Sequence, residues 1–300
     1  MTTDSLNARD YLNLFPSVHL SYDLPKNNAI QISYSRRVRR PRFWDLNPFF
    51  TFSDARNFFS GNPNLDPEFT DSYEIGHIKY WDNASLSSAI YYRYTTDVIQ
   101  RIRVRGEEVD GQPTTLGFPI NLGTRDNFGF EFTFSYKLKK WWRLNGDLNF
   151  FRAITEGQYV TDVPEENTVI DLNADTYSWT SRLTSRMTFW KDIDFQIRGN
   201  YRAPRETPQG RAESITHFDV AVSRDVFKKK GTLTLSVRDI FNGRRRRYET
   251  FGDDFFSEGD FQWRERQIDL TLNYRLNQKK QRSRRGSRGG GNFDGGGGEF

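Results

Sequence analysis

Two runs of arginine stand out in this 300-residue chain: Arg36, Arg37, Arg39 and Arg40, and then Arg244, Arg245, Arg246 and Arg247. Guanidinium groups at this density suit phosphate or carboxylate oxygens, which they meet through paired hydrogen bonds. A solvated loop, or salt bridges to carboxylates of the same chain, is the plain alternative. Six aromatics follow the first run: Phe43, Trp44, Phe49, Phe50, Phe58 and Phe59. They can form a ligand-binding surface, or they can be the packing of a loop stiffened by Pro41, Pro48, Pro63 and Pro67. We favour the packing. Asp253, Asp254, Glu258 and Asp260 offer oxygen ligands for Ca²⁺, but not in a known loop spacing, so no metal or cofactor is expected. The histidines (His19, His77, His217) are scattered, with neither H-E-x-x-H nor G-x-S-x-G. The absence of cysteine removes disulfides and thiolate metal sites. No catalytic residues are expected.

The elements that must position these groups are legible around residues 127–138, NFGFEFTFSYKL. Phe128, Phe130, Phe132, Phe134, Tyr136 and Leu138 alternate with Gly129, Glu131, Thr133, Ser135 and Lys137. Successive side chains of a strand point to opposite faces, so one face is aromatic and the other polar. The pattern recurs along most of the chain, between short turns and long polar loops.

Composition narrows the class. The chain is 28% charged and 16% aromatic, with a mean hydropathy of -0.79. No run approaches the ~18 apolar residues of a transmembrane helix. A transmembrane β-barrel stays open, because only alternate residues of its strands face lipid. The soluble alternative is a β-sandwich, whose strands run ~5–6 residues. Membrane strands need ~9–11, and most strands here reach that class. The first residues, MTTDSLNARDY, carry no basic-then-apolar export signal. In an outer membrane this stretch would be a mature segment and not the exported precursor.

Taken in order, eleven strands are expected. Their cores are Val18 to Leu24, Ile30 to Tyr34, Asp71 to Trp81, Leu86 to Val104 and Asn127 to Leu138. Then follow Trp142 to Phe150, Ala174 to Trp190, Ile193 to Tyr201, Phe218 to Val222, Leu233 to Val237 and Ile268 to Leu276. Short turns alternate with long loops, the pattern of periplasmic turns and extracellular loops. Tyr80-Trp81, Trp141-Trp142 and Phe189-Trp190 flank the short turns and mark one interfacial girdle. Eleven antiparallel strands cannot close with an antiparallel seam, and eleven is half of 22, the count of plugged outer-membrane transporters. The expected fold is therefore all-β: the C-terminal half of a 22-stranded antiparallel transmembrane barrel over residues 1–276. A disordered Gly- and Arg-rich tail follows over 277–300. The tail has six basic and two acidic residues, a net +4 of the chain's +5.

Several segments resemble a known family. They are Leu14-Phe15-Pro16-Ser17, Tyr34 to Pro41 (YSRRVRRP), Leu46-Asn47-Pro48-Phe49, Gly61 to Glu68 (GNPNLDPE) and Arg238-Asp239-Ile240-Phe241-Asn242. In this order they resemble the outer-membrane β-barrel family of Bacteroidetes, related to TonB-dependent receptors. The match runs to about Leu276, and 39–68 is its most specific part. The resemblance implies a carboxypeptidase-like module and a plug upstream, an extracellular substrate, and uptake driven by TonB through the plug. A non-transporting barrel in an assembly or secretion complex is the alternative; an intact plug and TonB-contacting segment upstream would separate the two.

Partners follow from that reading. Outer-membrane lipid and lipopolysaccharide are expected, with the eight arginines at outer strand ends contacting lipopolysaccharide phosphates. TonB is expected through the plug. The tail either is passive or meets the barrel-assembly machinery or a periplasmic or lipoprotein partner, with Phe293 and Phe300 as anchors. Arg/Gly segments elsewhere bind nucleic acid, but none is expected in the periplasm, where the C-terminus should lie.

Overall fold

The computed structural model describes residues 12–49, 51–52, 56–160, 169–190, 192–252 and 255–276. In chain order the first elements are β1 (Ser17–Leu24), β2 (Asn28–Arg39), a one-turn helix α1 (Phe43–Leu46), β3 (Thr51–Phe52) and β4 (Asn57–Phe59). The long strands follow: β5 (Glu68–Tyr80), β6 (Ala84–Arg105), β7 (Thr115–Lys139) and β8 (Trp142–Glu156). Next come β9 (Gln158–Val160), β10 (Val169–Asp171), β11 (Ala174–Phe189), β12 (Ile193–Arg202), β13 (Arg205–Thr207) and β14 (Gly210–Ala212). The chain closes with β15 (Ile215–Val226), β16 (Gly231–Arg238), β17 (Arg246–Phe251), β18 (Phe256–Phe261) and β19 (Gln267–Tyr274).

Eleven of these form one path of neighbours, β1-β2-β5-β6-β7-β8-β11-β12-β15-β16-β19, every pair antiparallel. They correspond one to one with the eleven expected strands. The path does not close among the described residues, so β1 and β19 are its edges. Loops expected as irregular carry structure of their own. β9 pairs β10, and β13-β14-β17-β18 form a separate four-stranded sheet.

Register turns the alternation of single strands into a continuous surface. Leu20, Ile32, Ile75, Ile90, Phe130, Phe150 and Trp179 are direct partners in a row across seven strands. Direct partners share a face, so the row is one apolar band. It is open to the surroundings: Ile32 is 50% exposed, Ile75 59%, Ile90 58% and Phe130 53%. Within this band Phe134 lies opposite Gly146 and Phe218 opposite Gly199. A Cβ on either glycine would meet the partner ring, at 2.5 Å and 2.9 Å, so each ring lies flat over bare backbone.

The band is bounded on both sides by aromatics. At the short-turn end Trp141 lies 5.8 Å from both Trp142 and Phe189, and Phe189 lies 6.1 Å from Trp190. These are the residues expected there. At the other end Tyr34, Tyr73, Tyr92 and Phe128 are successive register partners with ring centroids 5.0, 6.1 and 4.8 Å apart. Tyr34 and Tyr92 donate their hydroxyls to Asp71 Oδ1 at 2.7 Å and Asp126 Oδ1 at 2.6 Å. This second girdle was not anticipated. From Phe128 to Leu138 a strand extends ~33 Å at ~3.3 Å per residue. Tilted by ~40°, it spans the ~25 Å apolar height of an outer-membrane barrel. The opposite face is polar, carrying Glu74, Tyr91, Arg93, Glu131 and Asn149; Tyr91 donates to Asn149 Oδ1 at 3.0 Å, under the Arg93 guanidinium.

This assignment of faces makes Ile90→Arg diagnostic. On a lipid-facing midplane it costs ~2–4 kcal/mol, whereas an exposed isoleucine in water tolerates the change within ~0.5 kcal/mol. Unfolding titrations in lipid vesicles should show the larger loss; a neutral result contradicts the membrane face.

Candidate functional site

The long-loop end of the sheet is a folded layer held by its own core. The β6–β7 hairpin projects beyond the outer girdle, and there Ile102, Ile120, Leu122 and Leu172 form a buried cluster. Val104, Phe118, Tyr159 and Ile170 pack against it, which seats the β9–β10 hairpin on β6 and β7. Phe118 meets Tyr159 edge-on at 5.5 Å. Residues 106–118 read in the sequence as a Gly- and Pro-bearing loop, yet β7 already begins at Thr115.

The motif-bearing segment between β2 and β5 is stapled to the same hairpin. Asn62 donates from its amide to Pro119 O at 3.2 Å, and Asp66 N and O both bond the Asn121 side chain, at 2.8 and 2.9 Å. Leu65, between them, is buried. Gly61 N reaches Asn47 O at 2.8 Å, which ties the GNPNLDPE and LNPF stretches together. Arg101 pairs with Asp45 of α1 at 2.8 Å and lies 4.7 Å over the Phe59 ring. β4 adds to β7 in parallel, Phe58 opposite Leu116.

The six candidate aromatics therefore separate. Phe58 and Phe59 are half-buried in the packed loop, while Phe43, Trp44 and Phe49 are 72%, 63% and 77% exposed. Phe50 lies outside the described residues, as do Phe293, Phe300 and the whole tail.

The four-stranded loop sheet closes over the polar face. Ser178 and Thr176 are buried on that face of β11. Ser178 Oγ donates to Ala203 O at 3.3 Å, and Glu206 N donates to Thr176 Oγ1 at 2.9 Å, pinning β13 there. Across the mouth, Gln209 mimics a strand partner for Arg103: it accepts from Arg103 N at 2.7 Å and donates to Arg103 O at 2.8 Å. Arg103 Nη1 reaches Ser257 Oγ at 3.0 Å, and its guanidinium lies 5.8 Å over Tyr248. Arg103 and Gln209 were missed at the sequence level. They are 106 residues apart and belong to no local pattern.

The RDIFN stretch anchors the last loop. Asp239 is buried with left-handed backbone (φ 51°), and its carboxylate accepts from Gly243 N and Arg244 N, each at 2.8 Å. Asn242 Oδ1 accepts from Arg266 N at 3.0 Å and from Gln262 Nε2 at 2.7 Å.

The family model of the outer membrane protein beta-barrel family matches residues 1–274. The chain belongs to this family. Similar solved structures include the copper transporter OprC, at 15% identity and a TM-score of 0.54, covering 86% of this chain and 39% of that one. The siderophore receptor PirA from Pseudomonas aeruginosa gives 15% identity and 0.52, covering 79% and 41%. The siderophore receptor PiuA from Acinetobacter baumannii gives 15% and 0.52, covering 86% and 35%. At this identity the likeness is one of fold, and the chain spans about two fifths or less of their length. No curated protein matches.

For this outer-membrane family member the arginine runs do not act as units. In β2 Arg36 shares the face of Tyr34 and the lipid-facing band, 3.7 Å from Asp71. Arg39, on the opposite face, is committed to Glu68 at 2.5 Å and to Ile99 O at 3.1 Å. Arg245 pairs with Asp260 at 3.4 Å, and Arg246 and Arg247 open β17. On the outer girdle row Arg152 grips Asp175 through two hydrogen bonds, at 2.9 and 2.6 Å. Of the acidic cluster, Asp253 and Asp254 lie outside the described residues. His19, His77 and His217 sit on β1, β5 and β15, and among the described residues no three acidic or histidine side chains are grouped to hold a metal.

Asp239→Ala strands two N–H groups at ~1–3 kcal/mol each, and the cost is local to the loop. Trypsin should then cut at Arg244 to Arg247 faster, while thermal stability of the barrel holds. An unchanged cleavage rate contradicts the anchoring role.

Proposed function

We propose that the protein is an outer-membrane receptor that binds an extracellular solute at the loop-built mouth and admits it through the barrel. The observation that carries this reading is the inward fold of the loops. β13 lies on the polar face of β11, and Gln209 spans to Arg103 of the β6–β7 hairpin, which makes a walled vestibule of what would otherwise be open loops. A barrel serving only as a scaffold has no need of such walls. The likeness to proteins described as a copper transporter and as siderophore receptors supports the same class.

In hydrocarbon an unpaired strand edge leaves backbone groups unsatisfied, at several kcal/mol each. The free edges of β1 and β19 therefore pair with further strands, and eleven strands fit as half of a 22-stranded barrel around a plug. TonB, acting through the plug, would supply the energy for uptake. On this reading the short turns and the end of β19 face the periplasm, and the tail's proposed partner is the assembly machinery or a periplasmic or lipoprotein partner. Arg36, on the lipid side above the outer girdle, is the arginine of its run best placed to meet lipopolysaccharide phosphate. Arg39 is not.

The test compares solutes remaining in spent medium from wild-type cells, a deletion of this gene and a deletion of tonB. One solute class should persist in both mutants. Equal depletion by all three strains, with surface proteins held in the periplasm of the gene deletion, would replace uptake by an assembly role.

A further inference from the structure

Arg125 and Arg205, from separate segments, are brought together on the polar face at the mouth: Arg125 bonds Thr155, which pairs with Ala174 of β11, two residues from the Thr176 that holds Glu206 N. Arg125 is on the polar face of β7, opposite Thr155 of β8. Its Nε donates to Thr155 Oγ1 at 3.0 Å and its Nη2 to Gln100 Oε1 at 3.3 Å, so neutral partners orient it. Arg202 ends β12 on the same face, one residue beyond the aromatic Tyr201. Arg205 begins β13, the strand clamped onto the polar face of β11, and Arg246 begins β17 in the same loop sheet.

Their charges act on one another. Burial lowers the Arg125 pKa, and Arg205 and Arg39 lower it further, against an opposing pull from Glu68. Burial likewise lowers Arg202, with Arg205 and Arg246 adding to it, and burial lowers Arg205 itself. Arg205 is nonetheless open to solvent, as a side chain facing a water-filled concavity would be. Among the described residues, no carboxylate forms an ion pair with Arg125 or Arg205. The nearby acids are used elsewhere: Glu68 by Arg39, and Glu206 and Glu213 by Arg211.

Gathering like charges in a walled, partly desolvated space opposes folding, and an entering anion relieves it. Guanidinium forks are also the side chains best matched to planar or tetrahedral oxyanions. We propose that Arg125 and Arg205 form the core of a binding site for a solute bearing several carboxylate or phosphate oxygens. The proposal rests on the mouth being the ligand entrance, and it names the ligand class that the entrance selects. The cluster lies on the face opposite the lipid-facing band, so the oxyanion comes from a dissolved solute and not from a lipid headgroup.

The test uses the native protein purified from outer membranes in detergent, titrated calorimetrically with inorganic pyrophosphate, citrate and neutral maltose. Pyrophosphate or citrate should bind, more weakly as ionic strength rises through ~0.15 M, and maltose should not. Arg205→Gln and Arg125→Gln should each weaken binding by ~10- to 100-fold, the loss of one charge-assisted pair. Arg205→Lys, which keeps the charge without the fork, should fall between. Arg224→Gln, near the short-turn end, should leave binding unchanged. Absence of binding by both anions, or equal binding by the Arg125→Gln/Arg205→Gln double variant with heat-modifiable migration retained, overturns the site. So does a double variant that loses co-purified lipopolysaccharide, because the site would then serve a lipid headgroup. If binding follows Arg205 while cells take up no solute, the uptake reading fails and the anion site stands.

Discussion

No water inside a bilayer is available to satisfy backbone N–H and C=O groups, so a chain without a long apolar helix can cross only as paired strands. That requirement is the constraint on which the structure depends. It makes each spanning strand long, and it makes every neighbour on the eleven-strand path antiparallel and close in sequence. Once register is set by the ladder, side chains have no freedom of face. Leu20, Ile32, Ile75, Ile90, Phe130 and Phe150 then fall into one band, while Glu74, Arg93, Glu131 and Asn149 fall behind it. A chain with 28% charged residues can thus present an apolar wall to lipid without any apolar run.

The two ends of the sheet solve different problems. At the short-turn end the chain need only reverse, and left-handed residues such as Lys26 and Asn27 do so in a few residues (φ 64° and 58°). At the long-loop end the strands leave lipid and meet water on both sides, so the chain must build a second core. Ile102, Ile120, Leu122 and Leu172 provide it by ordinary hydrophobic burial. The segments that carry the family resemblance belong to this layer. GNPNLDPE and RDIFN act as staples and anchors, with Asn62 and Asp239 spent on backbone partners.

What was legible in the sequence follows the same division. Strands such as β6 and the second half of β7 were readable because one face meets lipid and the other does not, which writes a period of two into the chain. The start of β7 was not, because Leu122 is covered by the β9–β10 hairpin and Gly117, Pro119 and Gly123 break the alternation. The outer girdle was invisible for a different reason: Tyr34, Tyr73, Tyr92 and Phe128 are on four strands and meet only through register. The arginine run at Arg36 to Arg40 misled as a unit, since strand alternation sends Arg36 and Arg39 to opposite faces. The vestibule contacts of Arg103 and Gln209, and the convergence of Arg125 with Arg205, depend on three-residue strands that no periodicity marks.

The central claim is that the even-numbered residues of 128–136 face lipid. The chain contains no cysteine, so single cysteines placed at each position from Phe128 to Tyr136 can carry a spin label in outer-membrane vesicles without background. Collision with oxygen, which concentrates in lipid, should peak at positions 128, 130, 132, 134 and 136. Collision with a water-soluble nickel chelate should peak at the positions between. An alternation of two in opposite phase for the two probes is the predicted result. Even positions shielded from both probes would instead show a sandwich core, and the membrane barrel would be wrong.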